Sequence, residues 1–321
     1  MEKITRTLSK ILNILPSQQY ISASELSEKT ALPQYKISYI IKLLVSYGVK
    51  IINNHQLGYK KEDELILLDK NKILQESDQI KLDIFDCIYS TQQFLKNQNI
   101  EQYDNHVCLA EYQTTGNGRM HKHWYSSFGQ NLLFSIKMSF RRKFLAVSSL
   151  TLVLGLTVIK ILEPLILPNR LMIKWPNDIY YKDKKIAGIL TEVITDNANT
   201  CNVIIGLGLN VNMTTLQKLN MEQWTSLKKI TSKNFDRNNI CTLLINNIIH
   251  TVKAFNKLDH PKYLPDWHQY DYLFGKKIDV SNGSKSMTGI SKGINSDGYL
   301  LLEIKNRTII PIYNAEVSVI R

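Results

Sequence analysis

Cysteine is scarce in this chain of 321 residues, and the few cysteines are scattered. The four are Cys87, Cys108, Cys201 and Cys241. Zinc sites are typically built from cysteine pairs a few residues apart, and secreted disulfide-stabilised domains contain many cysteines at short spacings. Since neither pattern is present, the sequence predicts no zinc site and no disulfide framework. A reducing compartment such as the cytoplasm fits this composition.

Long apolar runs are also missing. The longest uncharged run, 144–159, contains several serines and threonines and is shorter than the roughly 20 apolar residues that a membrane-spanning helix needs. We interpret it as part of a buried helix over 146–162. The first residues mix both charges into their apolar stretch, so they lack the uncharged core of a signal peptide. We therefore expect a cytoplasmic protein with no membrane partner.

The Gly-x-x-x-x-Gly-Lys-Ser/Thr pattern of P-loop proteins is absent from the sequence, so a P-loop mechanism is not supported. Positive charge, in contrast, is abundant. The chain has 40 Lys and Arg against 28 Asp and Glu, which gives a net charge of +12. This balance favours acidic partners such as nucleic acid or nucleotides.

Residues 1–62 predict a winged helix-turn-helix DNA-binding domain. Ser22 and Glu25 match a capping box that starts a helix through Thr30, and 31–33 form the turn. The buried face of the next helix is predicted to contain Ile37, Ile40, Ile41 and Leu44. The candidate DNA-binding residues on its other face are Gln34, Tyr35, Lys36, Ser38, Tyr39 and Lys42. A hairpin over 49–60 would be the wing, and nine Lys or Arg against four Asp or Glu in 1–62 favour DNA over the alternative, a helical protein-interaction domain.

Two further domains are predicted. After a short linker at about 62–75, helices alternate with strands over 76–270, which indicates a mixed α/β domain. Residues 271–321 contain four predicted strands, 277–280, 286–294, 299–304 and 308–312, with turn signals at Asn282-Gly283 and Asp297-Gly298. The fold class is therefore α+β.

The segment Lys174-Trp175-Pro176-Asn177-Asp178, followed by 185–190, combines two cations and a carboxylate around a predicted hairpin. Strands 179–181 and 186–193 flank the polar tip 182–184, so Lys174, Asp178 and Lys185 are expected to meet in space. Such a cluster suits a site where phosphate charge is neutralised during a reaction. The alternative is a solvated hairpin with scattered charges.

Two other segments have ligand-binding character. In 110–124, Gly116 and Gly118 permit backbone conformations closed to other residues and let N–H groups approach an anion, which indicates a basic loop that covers a ligand. In 203–213, two glycines, Gly206 and Gly208, would allow close approach to a buried strand, with Asn210 as a polar contact for the ligand.

In this order and spacing, the three segments resemble the biotin protein ligase family. Its patterns are Gly-Arg-Gly-Arg followed by Trp, Lys-Trp-Pro-Asn-Asp, Lys-x-Ala-Gly-Ile-Leu and Gly-x-Gly-x-Asn. The resemblance runs nearly end to end, as in bacterial members that also repress the biotin operon, and it implies a central domain related to class II synthetase-like folds and an SH3-like C-terminal β-barrel. The chain departs from the family where Asn117 and Met120 replace basic residues and where Tyr89 and Gln92 replace Asp and Asn.

The resemblance implies an ATP-dependent ligase. Biotin and Mg²⁺-ATP would form biotinyl-5'-AMP, and the biotinyl group would pass to a lysine of the biotin carboxyl carrier protein of acetyl-CoA carboxylase. The implied further partners are biotin operon DNA and a second copy of the chain, in a homodimer of the adenylate-bound form. The alternatives are a lipoate or octanoate ligase, which would lack the front domain and the Lys-Trp-Pro-Asn-Asp pattern, and a non-catalytic ligand-sensing transcription factor, which would not need the charged cluster.

The same resemblance implies the site residues. The catalytic candidates are Lys185, Arg119, Lys174 and Asp178, with Asp178 also a candidate Mg²⁺ ligand. The biotin-binding candidates are Ser90, Thr91, Gln92, Gln113, Gly116, Asn117, Gly118, Arg119 and Lys185. The ATP- and adenylate-binding candidates are Arg119, Trp124, Lys174, Asn177 and Asn210. From the residues alone, Ser90 and Thr91 are better explained as helix-capping hydroxyls.

Overall fold

The structure is a computed structural model that describes residues 6–74, 80–98, 105–140, 147–196, 200–215, 223–257, 266–282 and 285–320. The chain forms two compact units. The first unit consists of residues 1–137, 206–221 and 226–242, and the second unit consists of 138–205, 222–225 and 243–321. The predicted division into 1–62, 76–270 and 271–321 stays a prediction.

Three helices and a hairpin form the front of the chain. They are α1 (Thr7–Ile14), α2 (Ala23–Thr30), α3 (Gln34–Ser46), β1 (Ile51–Asn54) and β2 (Gly58–Lys61). The predicted capping box is confirmed, because the Ser22 hydroxyl accepts from the Glu25 N–H at 3.1 Å and the Glu25 carboxylate accepts from the Ser22 N–H at 2.9 Å. The predicted buried face of α3 is confirmed as well. Helix α1 was not singled out from the sequence.

The hydrophobic core of these helices continues into the following strands of the first unit. Cys87 and Phe128 belong to the same buried cluster as the apolar residues of α1, α2 and α3. The rings of Tyr47, at the end of α3, and Tyr112 stack with centroids 4.0 Å apart. The front of the chain therefore shares one core with the rest of the first unit.

The segment that follows the hairpin is largely exposed but is anchored at two buried residues, Leu68 and Ile73. Leu68 is fully buried, and the short helix α4 (Lys70–Ile73) is capped by the Asp69 carboxylate, which accepts from the Asn71 N–H at 2.8 Å. The predicted linker at 62–75, as far as residue 74, thus contributes to the interior of the first unit.

The middle part of the chain forms a seven-stranded sheet. Its strands are β3 (Ile80–Ile88), β4 (Asn105–Gln113), β5 (Asn131–Phe140), β6 (Met172–Lys174), β7 (Asp178–Tyr181), β8 (Lys184–Asp196) and β9 (Thr200–Asn210), in the order β3-β4-β5-β9-β8-β7-β6. Strands β3 and β4 are parallel, and β6, β7 and β8 form an antiparallel meander. The accompanying helices are α5 (Thr91–Lys96), α6 (Val147–Ile166), α7 (Leu227–Thr231) and α8 (Arg237–Lys257).

Helix α6 contains the described part of the apolar run, residues 147–159. It ends four residues later than the predicted 146–162, and residues 144–146 lie outside the described part of the chain. By length and composition its segment 148–166 would suffice to cross a membrane, but 61% of that window is buried inside the protein. Gly155 brings the helix close to Ile173 of β6, since a Cβ there would lie 3.1 Å from the Ile173 side chain.

The end of the chain forms a second, five-stranded antiparallel sheet. Its strands are β10 (Lys277–Asn282), β11 (Lys285–Ile294), β12 (Leu300–Glu303), β13 (Ile309–Ile312) and β14 (Glu316–Val319), in the order β13-β12-β11-β10-β14. The four predicted strands are confirmed, and β14 was not predicted. The predicted turn at Asp297-Gly298 is present, with Gly298 at φ 80°, whereas Gly283 lies outside the described residues.

Candidate functional site

The hairpin of the second unit brings Lys185 and Asp178 together. In the β6–β7 register Lys174 lies opposite Asp178, and Asp178 lies opposite Gly188 in the β7–β8 register. The Lys185 ammonium is 2.8 Å from Asp178 Oδ1, with side-chain exposures of 30% and 22%. The predicted meeting of these two groups is confirmed, and a hairpin with scattered solvated charges does not describe them.

The main chain at Lys185 is held on both of its polar groups. Its N–H donates to the Gln223 carbonyl at 3.1 Å, and its carbonyl accepts from the Thr225 N–H at 2.9 Å. The β7–β8 register shifts between Ile179 and Tyr180, which leaves Ile186 as the extra residue of a bulge. Because a bulge redirects the side chain beside it, this irregularity aims Lys185.

Lys174 is placed by aromatic side chains of the second unit. Its ammonium lies 5.3 Å from the centre of the Tyr180 ring, and the Tyr180 and Tyr272 rings stack at 5.1 Å. On Tyr272 lies the Lys276 ammonium, 3.4 Å from the ring centre. Burial raises the pKa of the Tyr180 phenol, so the ring stays neutral and offers its π face to the cation.

Trp175 and Asn177, which lie between Lys174 and Asp178 in sequence, make structural hydrogen bonds within the second unit. Trp175 is 2% exposed, and its indole N–H donates to the Gly298 carbonyl at 3.0 Å. The Asn177 amide donates to the Ile189 carbonyl at 2.8 Å. The Asn177 side chain, predicted to bind nucleotide, is thus engaged with the backbone of β8.

The first unit contains a buried group of hydroxyls and amides. The Gln113 amide oxygen accepts from the Thr91 N–H at 2.7 Å and from the Thr91 hydroxyl at 3.1 Å. The Thr91 hydroxyl also lies 2.8 Å from the Ser135 hydroxyl, which donates to the Gln92 amide oxygen at 3.3 Å. All four side chains are at most 9% exposed. The predicted biotin candidates Thr91, Gln92 and Gln113 therefore lie together.

Ser135 was missed by sequence reasoning. The available signal was a serine flanked by apolar residues in the strand Asn131–Phe140, which also contains Ser139. Ser90, in contrast, caps α5, since its hydroxyl accepts from the Gln93 N–H at 3.4 Å. The helix-capping interpretation of Ser90 is confirmed.

The two glycines of β9 are required by close approach, as predicted. A Cβ at Gly206 would collide with the Gln92 amide oxygen, and a Cβ at Gly208 would lie 2.5 Å from the Trp124 indole. The Trp124 ring is thereby placed against β9 within the first unit.

The loop before Trp124 is closed by its own backbone. The Trp124 N–H donates to the Gly116 carbonyl at 2.7 Å, and the Gly118 N–H donates to the Lys122 carbonyl at 2.7 Å. Asn117 forms a bridge with His123, and the half-buried Arg119 starts a single 3₁₀ turn.

The two loop glycines do not use the conformational freedom that glycine permits. Gly118 has φ −97°, and Gly116 is not among the residues with positive φ, so neither uses a conformation closed to other residues. Met120 is the loop residue with positive φ, at 52°. Gly116 is needed for space instead, because a Cβ there would lie 2.9 Å from the Trp124 carbonyl oxygen.

Asn210 ends β9 and is 4% exposed. Its amide oxygen accepts from the Asn131 amide at 2.8 Å. Asn131, the first residue of β5, is fully buried and was not identified from the sequence. An asparagine that starts a strand resembles a turn residue in sequence, so the pattern gave no indication of this contact.

The outer face of α3 is largely exposed. Tyr35 and Tyr39 are 77% and 63% exposed, and Lys36 and Lys42 are exposed too. The other two candidates for DNA contact have partners within the protein. Gln34 donates to the Ser24 hydroxyl at 3.0 Å, and the Ser38 hydroxyl lies 3.5 Å from the Tyr59 hydroxyl.

Among the residues that the structure describes, no group of three His, Cys, Asp or Glu side chains could hold a metal ion. The candidate Mg²⁺ ligand Asp178 is engaged by Lys185. One carboxylate suffices for Mg²⁺ when substrate phosphates and water supply the other ligands.

Known proteins resemble the chain over most of its length. A sequence model of the biotin/lipoate A/B protein ligase family matches residues 84–210, and one of the biotin protein ligase C-terminal domain matches 273–319. The bifunctional ligase/repressor BirA of Escherichia coli K12 is 30% identical over 310 residues, 96% of this chain and 96% of that protein. The protein of the same name from Bacillus subtilis is 27% identical over 337 residues, 97% of this chain and 98% of that protein. A solved biotin protein ligase from Aquifex aeolicus, in complex with biotin and ATP, is 28% identical with a TM-score of 0.64, and the match covers 75% of this chain and 99% of that one.

Proposed function

Since the chain belongs to the biotin protein ligase family and is a ligase, we propose that it joins biotin to a lysine of the biotin carboxyl carrier protein of acetyl-CoA carboxylase in two ATP-dependent steps. In the first step, a biotin carboxylate oxygen attacks the α-phosphorus of ATP, the bond to the β-phosphate oxygen breaks, and biotinyl-5'-AMP and pyrophosphate form. In the second step, the amine of the acceptor lysine attacks the acyl carbon, and AMP leaves.

The observation that carries this proposal is the placement of Lys185. Its ammonium is held by Asp178 and aimed by a bulge, yet it remains partly exposed. A fixed cation of this kind stabilises the negative charge that develops at a phosphate during nucleotidyl transfer. Lys174 would add a second positive charge. Mg²⁺ would arrive bound to the ATP phosphates, with Asp178 as a candidate protein ligand.

The buried polar group of the first unit suits the biotin ring. A ureido group offers two N–H donors and one carbonyl acceptor, and the hydroxyls and amides of Thr91, Gln92, Gln113 and Ser135 supply both kinds of partner. We assign the Gly116–Trp124 loop, with Asn117, Gly118 and Arg119, to covering the adenylate. Trp124 and Asn210 would contact the nucleotide.

Biotin is favoured over lipoate or octanoate by the full-length relatives. The family model for 84–210 includes both ligase types and does not distinguish them. The model for 273–319 describes biotin ligases, and the two full-length relatives are named ligase/repressors. Lipoate in place of biotin is therefore the control substrate rather than the expected one.

A second activity, repression of the biotin operon in the cytoplasm, is favoured by the front of the chain. We infer that α2, α3 and the β1–β2 hairpin form a winged helix-turn-helix. Its DNA-contacting face would be Tyr35, Lys36, Tyr39 and Lys42, since these side chains are exposed on α3. The adenylate-bound homodimer is part of this proposal, as are the relation of the central domain to class II synthetases and the SH3-like form of the C-terminal sheet.

Pyrophosphate release tests the ligase. Purified protein mixed with ATP and biotin is expected to release pyrophosphate, and a biotin carboxyl carrier protein added afterwards should become biotinylated on a single lysine. Equal release with lipoate or octanoate would support the other ligase type. If none of these acids causes pyrophosphate release, the result would support a ligand-sensing protein without adenylation activity.

A further inference from the structure

The first unit contains a fully buried ion pair to which the proposed reaction assigns no role. Arg237 and Glu111 are both 0% exposed, and their side chains are 2.7 Å apart. A buried pair is better tolerated when its other polar groups also have partners. The Arg237 Nε–H has none among the described residues, but other polar atoms of the pair do. The Glu111 carboxylate accepts from the Leu68 N–H at 2.6 Å, and the Arg237 guanidinium donates to the carbonyls of Asn131 at 2.9 Å and Ile66 at 2.8 Å.

One end of this network holds the segment between the front hairpin and the sheet. Besides the contacts to Ile66 and Leu68, Asn238 donates to the Leu67 carbonyl at 3.1 Å and accepts from the Asp69 N–H at 2.8 Å. Arg237 and Asn238 are consecutive residues at the start of α8. The first turn of α8 therefore fixes the backbone of 66–69.

The other end of this network reaches Asn210. There the Asn131 side chain determines how the Asn210 amide is oriented. The Ser127 backbone N–H is 3.0 Å from the Asn131 side chain and can only donate, so the Asn131 atom facing it is the amide oxygen. The Asn131 NH₂ then faces Asn210 and donates to its amide oxygen at 2.8 Å. With its oxygen held in this way, Asn210 turns its NH₂ away from Asn131.

We propose that Asn131 is a positioning residue that makes Asn210 a hydrogen-bond donor to the nucleotide, and that the Arg237–Glu111 pair fixes Asn131 by its backbone carbonyl. A donor suits the ring nitrogens of adenine, which are acceptors. The same guanidinium binds Ile66, so the segment after the front hairpin and the nucleotide contact are parts of one hydrogen-bonded network. This inference rests on the proposed contact between Asn210 and the nucleotide.

The variant Asn131→Asp tests it. The substitution keeps the shape and the acceptor for Ser127 but removes the NH₂ donor, so Asn210 should turn its own NH₂ toward the new carboxylate. In steady-state pyrophosphate release, KM for ATP should rise about tenfold while KM for biotin stays within about twofold. The matched control Asn247→Asp changes an exposed amide, which donates to the Leu243 carbonyl in the same helix α8, and should leave both values unchanged.

A double-substitution cycle shows whether Asn131 acts through Asn210. Asn210→Ala should raise KM for ATP, and Asn131→Asp should then add nothing in that background. Additive effects, or an equal rise of both KM values in Asn131→Asp alone, would overturn the positioning role. If Asn131→Asp fails to fold by circular dichroism, Glu111→Gln, which weakens the hold on Arg237, should show the same selective rise for ATP.

The two proposals fail separately. A wild-type protein that releases no pyrophosphate contradicts the ligase, and calorimetric titration with AMP then compares wild type and Asn131→Asp directly. Asn210→Ala without effect on KM for ATP would contradict the nucleotide contact while the ligase stands. Equal AMP affinity of wild type and Asn131→Asp would contradict the positioning of Asn210.

Discussion

Lys185 combines a fixed backbone with a partly exposed charge. Its substitution is therefore the most direct test of the proposed catalytic role. Lys185→Ala should lower the rate of pyrophosphate release by at least about 100-fold, because a preorganised cation stabilises the developing phosphate charge. The partly exposed pair with Asp178 contributes no more than about 1 kcal/mol to folding, so the fold should persist. The measurement is pyrophosphate release together with thermal unfolding.

The matched control is Lys184→Ala, because the neighbouring lysine is exposed at the hairpin tip. This variant loses the same charge and should release pyrophosphate at the wild-type rate. Release by Lys185→Ala within a few-fold of wild type would contradict the assignment of Lys185.

At the level of residues, the sequence predicted best where chemistry is local. Lys185 and Asp178 lie on adjacent strands of one meander, so a short spacing was enough to predict their meeting. Ser135 and Asn131 contact residues 43 to 79 positions away, and no pattern within a strand shows such contacts. A Gly-x-Gly pair in sequence does not reveal which residue of a loop has positive φ, and in this loop it is Met120 rather than Gly118.

Among the elements, the Gly116–Trp124 loop has a proposed role that can be tested separately from the synthesis of biotinyl-adenylate. It is closed by one hydrogen bond from the Trp124 N–H to the Gly116 carbonyl and one from the Gly118 N–H to the Lys122 carbonyl, and Arg119 lies in its turn. Arg119→Gly should speed dissociation of biotinyl-adenylate more than it slows its formation, since a loop that covers a mixed anhydride chiefly retains it and excludes water. Stopped-flow release of preformed adenylate, compared with pyrophosphate formation, measures both.

The control for the loop is Thr114→Ala, which changes an exposed side chain and keeps the backbone contact from the Thr114 N–H to Ile88. Adenylate should leave this variant at the wild-type rate, and lysines of a bystander protein should be labelled only by Arg119→Gly. Unchanged dissociation from Arg119→Gly would show that the loop has another purpose.

Elements with local signals were predicted, and elements defined by distant packing were not. Helix α2 has its capping box and α3 its apolar spacing, and both were found. Helix α1 is held by Asp86 of β3, whose carboxylate accepts from the Ser9 N–H at 2.9 Å across 77 positions. Strand β14 is defined by its pairing with β10, so neither α1 nor β14 is marked by a local pattern.

On the scale of the whole molecule, the shared core changes how the front of the chain should be studied. Removing residues 1–62 would uncover Cys87 and Phe128, which are 4% and 0% exposed, and would leave the Asp86 carboxylate without Ser9. Newly exposed apolar side chains lower the stability of the remaining domain. Ligation and DNA binding are therefore better separated by point variants than by truncation.

The double variant Lys36→Ala/Lys42→Ala should weaken DNA binding while leaving biotinylation unchanged. Two lost phosphate contacts should reduce the slope of log affinity against log salt by roughly 2, at about 0.9 per contact. A second double variant, Lys233→Ala/Lys277→Ala, removes the same charge from exposed positions outside α3 and serves as the control. Fluorescence anisotropy on the promoter of the chain's own biotin operon, over a salt series with and without adenylate, measures the binding.

Under the proposed repressor role, adenylate favours a homodimer that presents two α3 helices to paired half-sites, so wild-type affinity should rise with ligand. Equal losses of DNA affinity in the two double variants would show that net charge rather than the face of α3 determines binding. DNA affinity that does not change with adenylate would contradict the repressor role and indicate a ligase whose front helices bind another partner.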